Sequence, residues 1–343
     1  MRTRVAVIGG GQSCEHDVSL ASAAAVAAAL DPTTYEVVPL TIGRDGTWRD
    51  RSLRPIGLAG AAQVLRSCDV VFPVVHGPRG EDGALAALCE LAGLPYVGSG
   101  IGPGALAMDK WATKLVAGAV GIATAPGHLV TAATAARERW THPVVVKPVA
   151  AGSSHGVALV TAPDGLLPAL EVALALDSRA LVEDVVAGRE IDVAVLRRAD
   201  GTVVASPALE IVVDGLFDFD AKYGGHADLR VPARLDEADA RALEQAALTA
   251  YDALGCAGVA RIDFFLTDAG PVLNEVNTIP GMTEHSQVPR MFTAAGLSYP
   301  DLLDELVRGA RHRAPATPVW FPSLDTPAPT WQEDRPSPLS PVC

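Results

Sequence analysis

The segment VARIDFFLTDAGPVLNEVNTIPGMTEHS, residues 259 to 286, restricts the fold more than any other part of the chain. Two largely apolar runs flank a turn near Asp268 to Gly270, the pattern of a β-hairpin. Strand side chains alternate between faces, so Arg261 and Asp263 share one face and Glu275 and Asn277 share one face of the partner strand. Symmetric pairing about the turn sets Asp263 opposite Glu275 and Arg261 opposite Asn277. Cross-strand neighbours have Cβ atoms roughly 5 Å apart. Two carboxylates and an amide oxygen at that spacing suit Mg²⁺, which takes a few hard oxygen ligands and completes its octahedron with water and phosphate. Arg261 then sits where it can stabilise charge developing on a reacting oxygen. The bland alternative, a hairpin with an exposed ion-paired face, explains any one of these residues better than it explains all four. It also leaves unexplained the abrupt continuation into NTIPGMT, a Pro-Gly loop whose N–H groups suit a bound anion.

The rest of the chain reads as α/β at its start and α+β later. RVAVI, residues 4 to 8, is a short apolar strand, glycines 9 to 11 make a turn, and the Ala-rich stretch from Val18 to Leu30 is helical. A second apolar run, Val70 to Val75, ends at His76-Gly77, followed by a helix from Gly83 to Leu91 and a short strand at Tyr96-Val97. This alternation predicts a small parallel α/β domain over residues 1 to 107. A helix carrying Lys110 and Lys114 opens a second unit, 108 to 187, with strands at His142 to Val149 and Val157 to Val160 around a Gly-Ser loop. Leu181 to Leu196, Val203 to Val213, Gly258 to Leu266 and Pro271 to Val276 read as successive strands, interrupted by a helix from Glu237 to Leu254. They make a third unit, 188 to 312. Its loop over 215 to 233, including FDFDAKYGGHADLRVPA, is either plain surface or a lid over a reaction that excludes water. From Arg313 onward eight of 31 residues are proline, which predicts an extended or disordered tail.

Further motifs carry chemistry alongside a structural alternative. The loop KPVAAGSSHGV, 147 to 157, offers N–H groups, hydroxyls and Lys147 to phosphate, or is simply a flexible turn. No Walker A pattern occurs, which disfavours a P-loop NTPase. The first turn, GGGQSCEHDVSL, suggests a dinucleotide fingerprint but places Cys14 where close packing wants Gly or Ala, which speaks against a nucleotide-dependent oxidoreductase. Glu15 and Asp17 either favour the positive end of a helix dipole, or Glu15 binds a substrate ammonium. His76 is a turn histidine or a ligand contact at the strand edge where open α/β sheets bind. Lys110 and Lys114 are solvated helix residues unless that helix end faces a triphosphate.

Net charge is −13, from 27 basic and 40 acidic side chains, so nucleic acid and anionic membrane surfaces are repelled on average. No run of eighteen uncharged apolar residues could span a bilayer, and the apolar stretch in MRTRVAVIGGG is too short for a signal sequence. Five scattered cysteines (Cys14, Cys68, Cys89, Cys256, Cys343) without a CxxC pair indicate reduced thiols in a cytosolic protein.

In order along the chain, Gly10 to Leu20 (GGxSxEHxVSL), His76 to Gly83 (HGxxGEDG), MDK at 108 to 110, KPxxxGSSxGV at 147 to 157, AKY at 221 to 223, RxDF at 261 to 264 and NEVNTxPGMTxHS at 274 to 286 resemble the D-alanine:D-alanine ligase family. The likeness covers Val5 to about Arg308. It implies an ATP-grasp fold behind a Rossmann-like N-terminal domain, with ATP between the last two units. It further implies ligation of two D-alanines through an acylphosphate for peptidoglycan precursors, by a cytoplasmic homodimer. By resemblance Lys110, Lys147, Ser154, Glu183 and Glu190 contact nucleotide, Lys222 reaches the transferred phosphate, and Asp263, Glu275 and Asn277 carry two Mg²⁺, with Mn²⁺ as an alternative. Glu15 binds the first D-alanine's ammonium, linked to Ser153 and Tyr223. Arg261 and the Gly281 N–H form the oxyanion hole, while His76, Ser286 and Gln287 are substrate contacts. The chain departs from the pattern at Gln287, where many relatives carry an aliphatic residue, and at Phe217 and Phe219, where tyrosines are frequent. Lys222-Tyr223 favours an amine acceptor, leaving D-serine or an antibiotic-tolerant variant as alternatives. The intact Arg261, Asp263, Glu275 and Asn277 set argues against a non-catalytic nucleotide sensor.

Overall fold

The computed structural model describes residues 1–212 and 228–313. The opening apolar run forms β1 (Thr3–Gly10), buried along most of its length because it is the sheet's interior strand. It pairs in parallel with β2 (Tyr35–Ile42), beyond which lies the short antiparallel β3 (Trp48–Arg49). On its other side it pairs in parallel with β4 (Val70–Pro73), giving the order β3-β2-β1-β4. The helices α1 (His16–Ala29), α2 (Gly57–Leu65) and α3 (Ala84–Leu91) flank this sheet, with Ile8, Leu40, Leu65 and Val71 packed together. The expected parallel α/β unit is therefore present.

α4 (Ile101–Met108) and α5 (Lys110–Ala119) are separated by Asp109, whose carboxylate caps α5 by accepting the Ala112 N–H at 2.9 Å. After the two-residue β5 (Ala123–Thr124) comes an antiparallel sheet of β6 (Gly127–Thr131), β7 (Val144–Pro148), β8 (Ala158–Val160) and β9 (Arg179–Asp184), in the order β6-β9-β7-β8. α6 (Leu166–Leu176) buries Leu166 and Leu170 against it.

The third sheet contains β10 (Arg189–Arg197), β11 (Val203–Ala205), β12 (Leu209–Val212), β13 (Asp228–Arg230), β14 (Val259–Thr267) and β15 (Gly270–Asn277). Its order is β13-β12-β10-β14-β15-β5, with β11 paired to β10. α7 (Glu237–Leu254) packs Leu243 and Tyr251 on one face. α8 (Gln287–Ala294) and α9 (Tyr299–His312) join its other face to the first sheet, since Met291, Leu302 and Leu306 share a core with Leu196, Leu209, Val7 and Phe72.

Two expected strands are corrected. Leu181 to Leu196 is not one strand: β9 and β10 lie in different sheets, parted at 185–188. Val203 to Val213 divides into β11 and β12 around Pro207, which cannot donate to the ladder. Cys14, Cys68, Cys89 and Cys256 are free thiols, and among the described residues no helix is long and apolar enough to cross a membrane. Phe217, Phe219, Lys222, Tyr223 and the Pro-rich tail from Ala314 lie outside the described residues.

Candidate active site

β14 and β15 pair as their alternation predicts, Arg261 opposite Asn277 and Asp263 opposite Glu275, with a bulge after Asp263. On the other side β10 sets Asp192 opposite Asp263, so Asp192, Asp263 and Glu275 follow one another across three strands. Like charges in such a row repel, and two cations answer them. The Arg261 guanidinium donates to both Asp263 oxygens at 2.7 and 2.8 Å and lies 3.4 Å from Asp192. Burial opposes its charge, but Asp263, Asp192 and Glu275 outweigh that and hold its pKa well above the ordinary value. Lys110 pairs with Glu275 at 3.1 Å and donates to the Ala151 carbonyl at 3.1 Å. Burial is again overcome by Glu275, and the Lys110 pKa is raised. The Asn277 amide donates to Asp263 at 3.0 Å. Among the described residues no group of three His, Cys, Asp or Glu side chains could hold a metal ion. The predicted set has two carboxylates and depends on Asn277 for its third oxygen.

Glu15 precedes α1, yet its side chain makes no cap to that helix. It accepts instead the hydroxyl of Ser153 from the Gly-Ser loop, while its place at the N-terminus of α1 also keeps its charge near the positive end of the helix dipole. Glycine permits this approach: a Cβ on Gly152 would stand 2.2 Å from Glu15 Oε2. Ser153 and Ser154 adopt φ of 49° and 56°, a left-handed geometry that costs on the order of 1–3 kcal/mol per residue. Anchors at the start of the loop sustain it, with Val149 accepting the Lys110 N–H at 3.2 Å and Asp177 accepting the Ala150 N–H at 2.8 Å.

His76 is 4% exposed and is no plain turn residue. Its Nδ1–H donates to the Ile279 carbonyl at 2.8 Å, which leaves Nε2 to accept from Ser22 at 3.2 Å. Ser22 in turn accepts the Met282 N–H at 3.2 Å, so the segment after β4 and helix α1 together hold the NTIPGMT loop. Burial, against the pull of Glu15, lowers the His76 pKa and keeps the ring neutral. Gly281 faces Ser286, whose hydroxyl accepts the Thr283 N–H at 3.1 Å. Ser286 and Gln287 begin α8.

These elements enclose a cavity of about 600 Å³. Its wall includes Glu15, His76, Lys110, Ser153, Arg261, Glu275, Asn277, Gly281, Ser286 and Gln287, ten of the predicted residues, while Asp263 sits behind Arg261. Lys147, Ser154, Glu183 and Glu190 are not in that wall. Lys147 and Glu183 form a second, buried cluster in which Glu183 pairs with Lys147 at 2.6 Å and also with Lys114, and Lys147 donates to Asn274 at 3.2 Å. Lys114 is thus not a solvated helix residue, and burial lowers its pKa against the pull of Glu183.

Sequence reasoning assigned no role to Asp192 or Glu81. Asp192 is 2% exposed, and only the strand pairing reveals that it faces Arg261. Glu81 lines the cavity and accepts the Gly77 N–H at 3.0 Å, and burial, then Glu15, pushes its carboxyl up to about 8. Its place in HGPRGEDG was the available signal.

Comparison with known proteins places this geometry. The family models described as D-ala D-ala ligase N-terminus and D-ala D-ala ligase C-terminus match residues 4–99 and 120–308. A D-alanine–D-alanine ligase of Mycolicibacterium vanbaalenii is 43% identical, covering 90% of this chain and 97% of the relative. Among solved structures, the VanG D-Ala:D-Ser ligase from Enterococcus faecalis is 33% identical at a TM-score of 0.80, covering 90% of this chain and 100% of that one. The D-alanine–D-alanine ligase from Bacillus anthracis complexed with ATP is 29% identical at a TM-score of 0.74, covering 90% and 97%. The fold is the ATP-grasp architecture of these neighbours. With both family models matched in order and their residues gathered around one cavity, the chain belongs to the D-alanine–D-alanine ligase family.

Proposed function

We propose that the protein uses ATP to join two D-alanines into D-alanyl-D-alanine for peptidoglycan precursors. The observation that carries this reading is the single cavity whose wall holds an acceptor for an ammonium, Glu15, and a donor for an oxyanion, Arg261. Its volume of about 600 Å³ lies in the range of small-molecule sites.

A carboxylate is a poor electrophile because its charge is delocalised, and phosphoryl transfer from ATP to the first D-alanine gives an acylphosphate with a competent leaving group. Glu15, held by Ser153, takes the first ammonium and so orients the carboxylate. Neutral His76 and the loop it holds shape the wall beside that carboxylate. The second amine attacks the acyl carbon, Arg261 and the Gly281 N–H stabilise the tetrahedral oxyanion, and collapse releases phosphate. Ser286 and Gln287 stand where the second substrate's carboxylate would lie. Lys222 and Tyr223 complete the proposal, as partner of the transferred phosphate and closer of the Glu15–Ser153 pair. Water must be excluded, since it would hydrolyse the acylphosphate.

The hairpin's donor set fits magnesium: hard oxygens of Asp263 and Glu275 face one another across the ladder, with the Asn277 amide on the neighbouring pair. Asp263, Glu275 and Asn277 would hold Mg²⁺, or Mn²⁺, whose chemistry is to neutralise phosphate charge. Lys110, Lys147, Ser154, Glu183 and Glu190 are proposed nucleotide contacts, and the protein a cytoplasmic homodimer. The test is phosphate release from ATP with magnesium and D-alanine, then with L-alanine, D-serine and D-lactate. D-Alanine should stimulate release most, with a dipeptide product. No stimulation by D-alanine would overturn the reading, and preference for D-serine would move the acceptor.

A further inference from the structure

Lys114 lies one helical turn beyond Lys110 on α5, and the two ammoniums have different duties. Lys110 turns to Glu275, while Lys114 donates to the Ala125 carbonyl at 3.0 Å and pairs with one oxygen of Glu183. The other Glu183 oxygen pairs with Lys147 at 2.6 Å, and Lys147 reaches Asn274 at 3.2 Å. This chain of contacts runs from α5 through β9 and β7 to β15, the strand that carries Glu275 and Asn277. Lys114, Lys147 and Glu183 are 7%, 5% and 4% exposed.

Two buried ammoniums share one carboxylate. Among the described residues no second carboxylate lies in ion-pair contact with either of them, so the cluster holds one excess positive charge. A buried unmatched charge is costly unless an anion answers it. A carboxylate engaged by Lys147 alone would make a closed, neutral pair. Held also by Lys114, it leaves Lys147 with attraction to spare.

We propose that Lys114 is a positioning residue for the nucleotide: it takes a share of Glu183 so that Lys147 keeps net positive charge for an anionic phosphate of the nucleoside triphosphate. The inference rests on the proposed nucleotide contacts of Lys147 and Glu183, and assigns a function to a third residue, Lys114, that is not in the cavity wall. Lys114 also fixes the Glu183 carboxylate in place, so both the charge and the geometry of the contact depend on it.

The test compares the full-length wild type with Lys114→Met, Lys114→Gln, Lys114→Arg and Lys147→Met in phosphate-release assays. ATP is varied at saturating D-alanine, and D-alanine at saturating ATP. Lys114→Met and Lys114→Gln should raise the KM for ATP about tenfold or more, the scale of removing one unit charge at close range in a protein interior. The KM for D-alanine should stay within about twofold, and Lys114→Arg should restore the ATP KM to within about threefold. An unchanged ATP KM in Lys114→Gln, or equal rises in both KM values, overturns the proposal and leaves Lys114 structural. Lys147→Met separates the two levels. If it leaves the ATP KM unchanged, the underlying nucleotide assignment fails; if it raises that KM while Lys114→Gln does not, only the role of Lys114 falls. Should Lys114→Met fail to fold, Lys114→Gln, which keeps a donor for Ala125, decides with Lys114→Arg.

Discussion

At Glu275 three roles meet in one side chain: it faces Asp263 across the ladder, pairs with Lys110 at 3.1 Å and lines the cavity. Glu275→Gln keeps the shape and removes the charge. Turnover should fall about a hundredfold or more, since even groups that only orient metal ligands are worth about 10–100-fold. The thermal midpoint should fall as well, because the buried Lys110 loses its ion partner, so turnover is read at a temperature where the variant stays folded. Near-normal steady-state turnover in this variant would end the metal assignment. At this scale, strand alternation alone made the shared face of Arg261 and Asp263 legible. The burial of Lys110 and Lys114 was not, because a lysine on a helix reads as solvated until the carboxylates that face it, Glu275 and Glu183, are brought in from distant strands.

Among the elements, α7 was read from Glu237 to Leu254 and forms over those residues, because its limits are written locally. Asp236 accepts the Asp239 N–H at 2.8 Å as the N-cap, and Gly255 ends the helix with a φ of 72°. Asp236→Ala should cost about 1 kcal/mol of stability, read as a lower thermal midpoint, with both substrate KM values unchanged. A midpoint equal to wild type would deny the cap its role. The stretch from Leu181 to Leu196 was not legible in the same way. Its apolar residues are buried in both β9 and β10, and burial says nothing about which sheet a strand joins. The small gap at 185–188 carries the chain from the second sheet to the third without a strong turn signature.

Across the whole molecule, the protonation of Glu81 is one that links folding to pH. Burial and then Glu15 raise the Glu81 carboxyl from its ordinary 4.5 to about 8, so the folded protein binds a proton that the unfolded chain has lost. The stability this contributes is fully present below pH 4.5 and disappears as pH rises through about 8. The thermal midpoint of the wild type should therefore fall between pH 5 and pH 8 relative to that of Glu81→Gln, which cannot titrate there. Parallel curves for the two proteins would show that Glu81 is not held protonated. The same scale explains how distant segments meet at the site. His76 and Ser22 grip Ile279 and Met282, Tyr299 donates to the Met282 carbonyl at 2.6 Å, and Tyr35 donates to Asp304 at 2.5 Å.

The order of apolar runs, the face shared by charged residues on each strand and the local caps of helices were determined by sequence alone, because each depends on neighbours within a few positions. The family resemblance already linked Ser153 to Glu15, whereas tertiary structure alone decided that Asp192 faces Arg261 and that Glu183 is divided between two lysines. The physical reason is that an ionic partner is selected by distance and desolvation, and both exist only once sheets far apart in sequence have packed together.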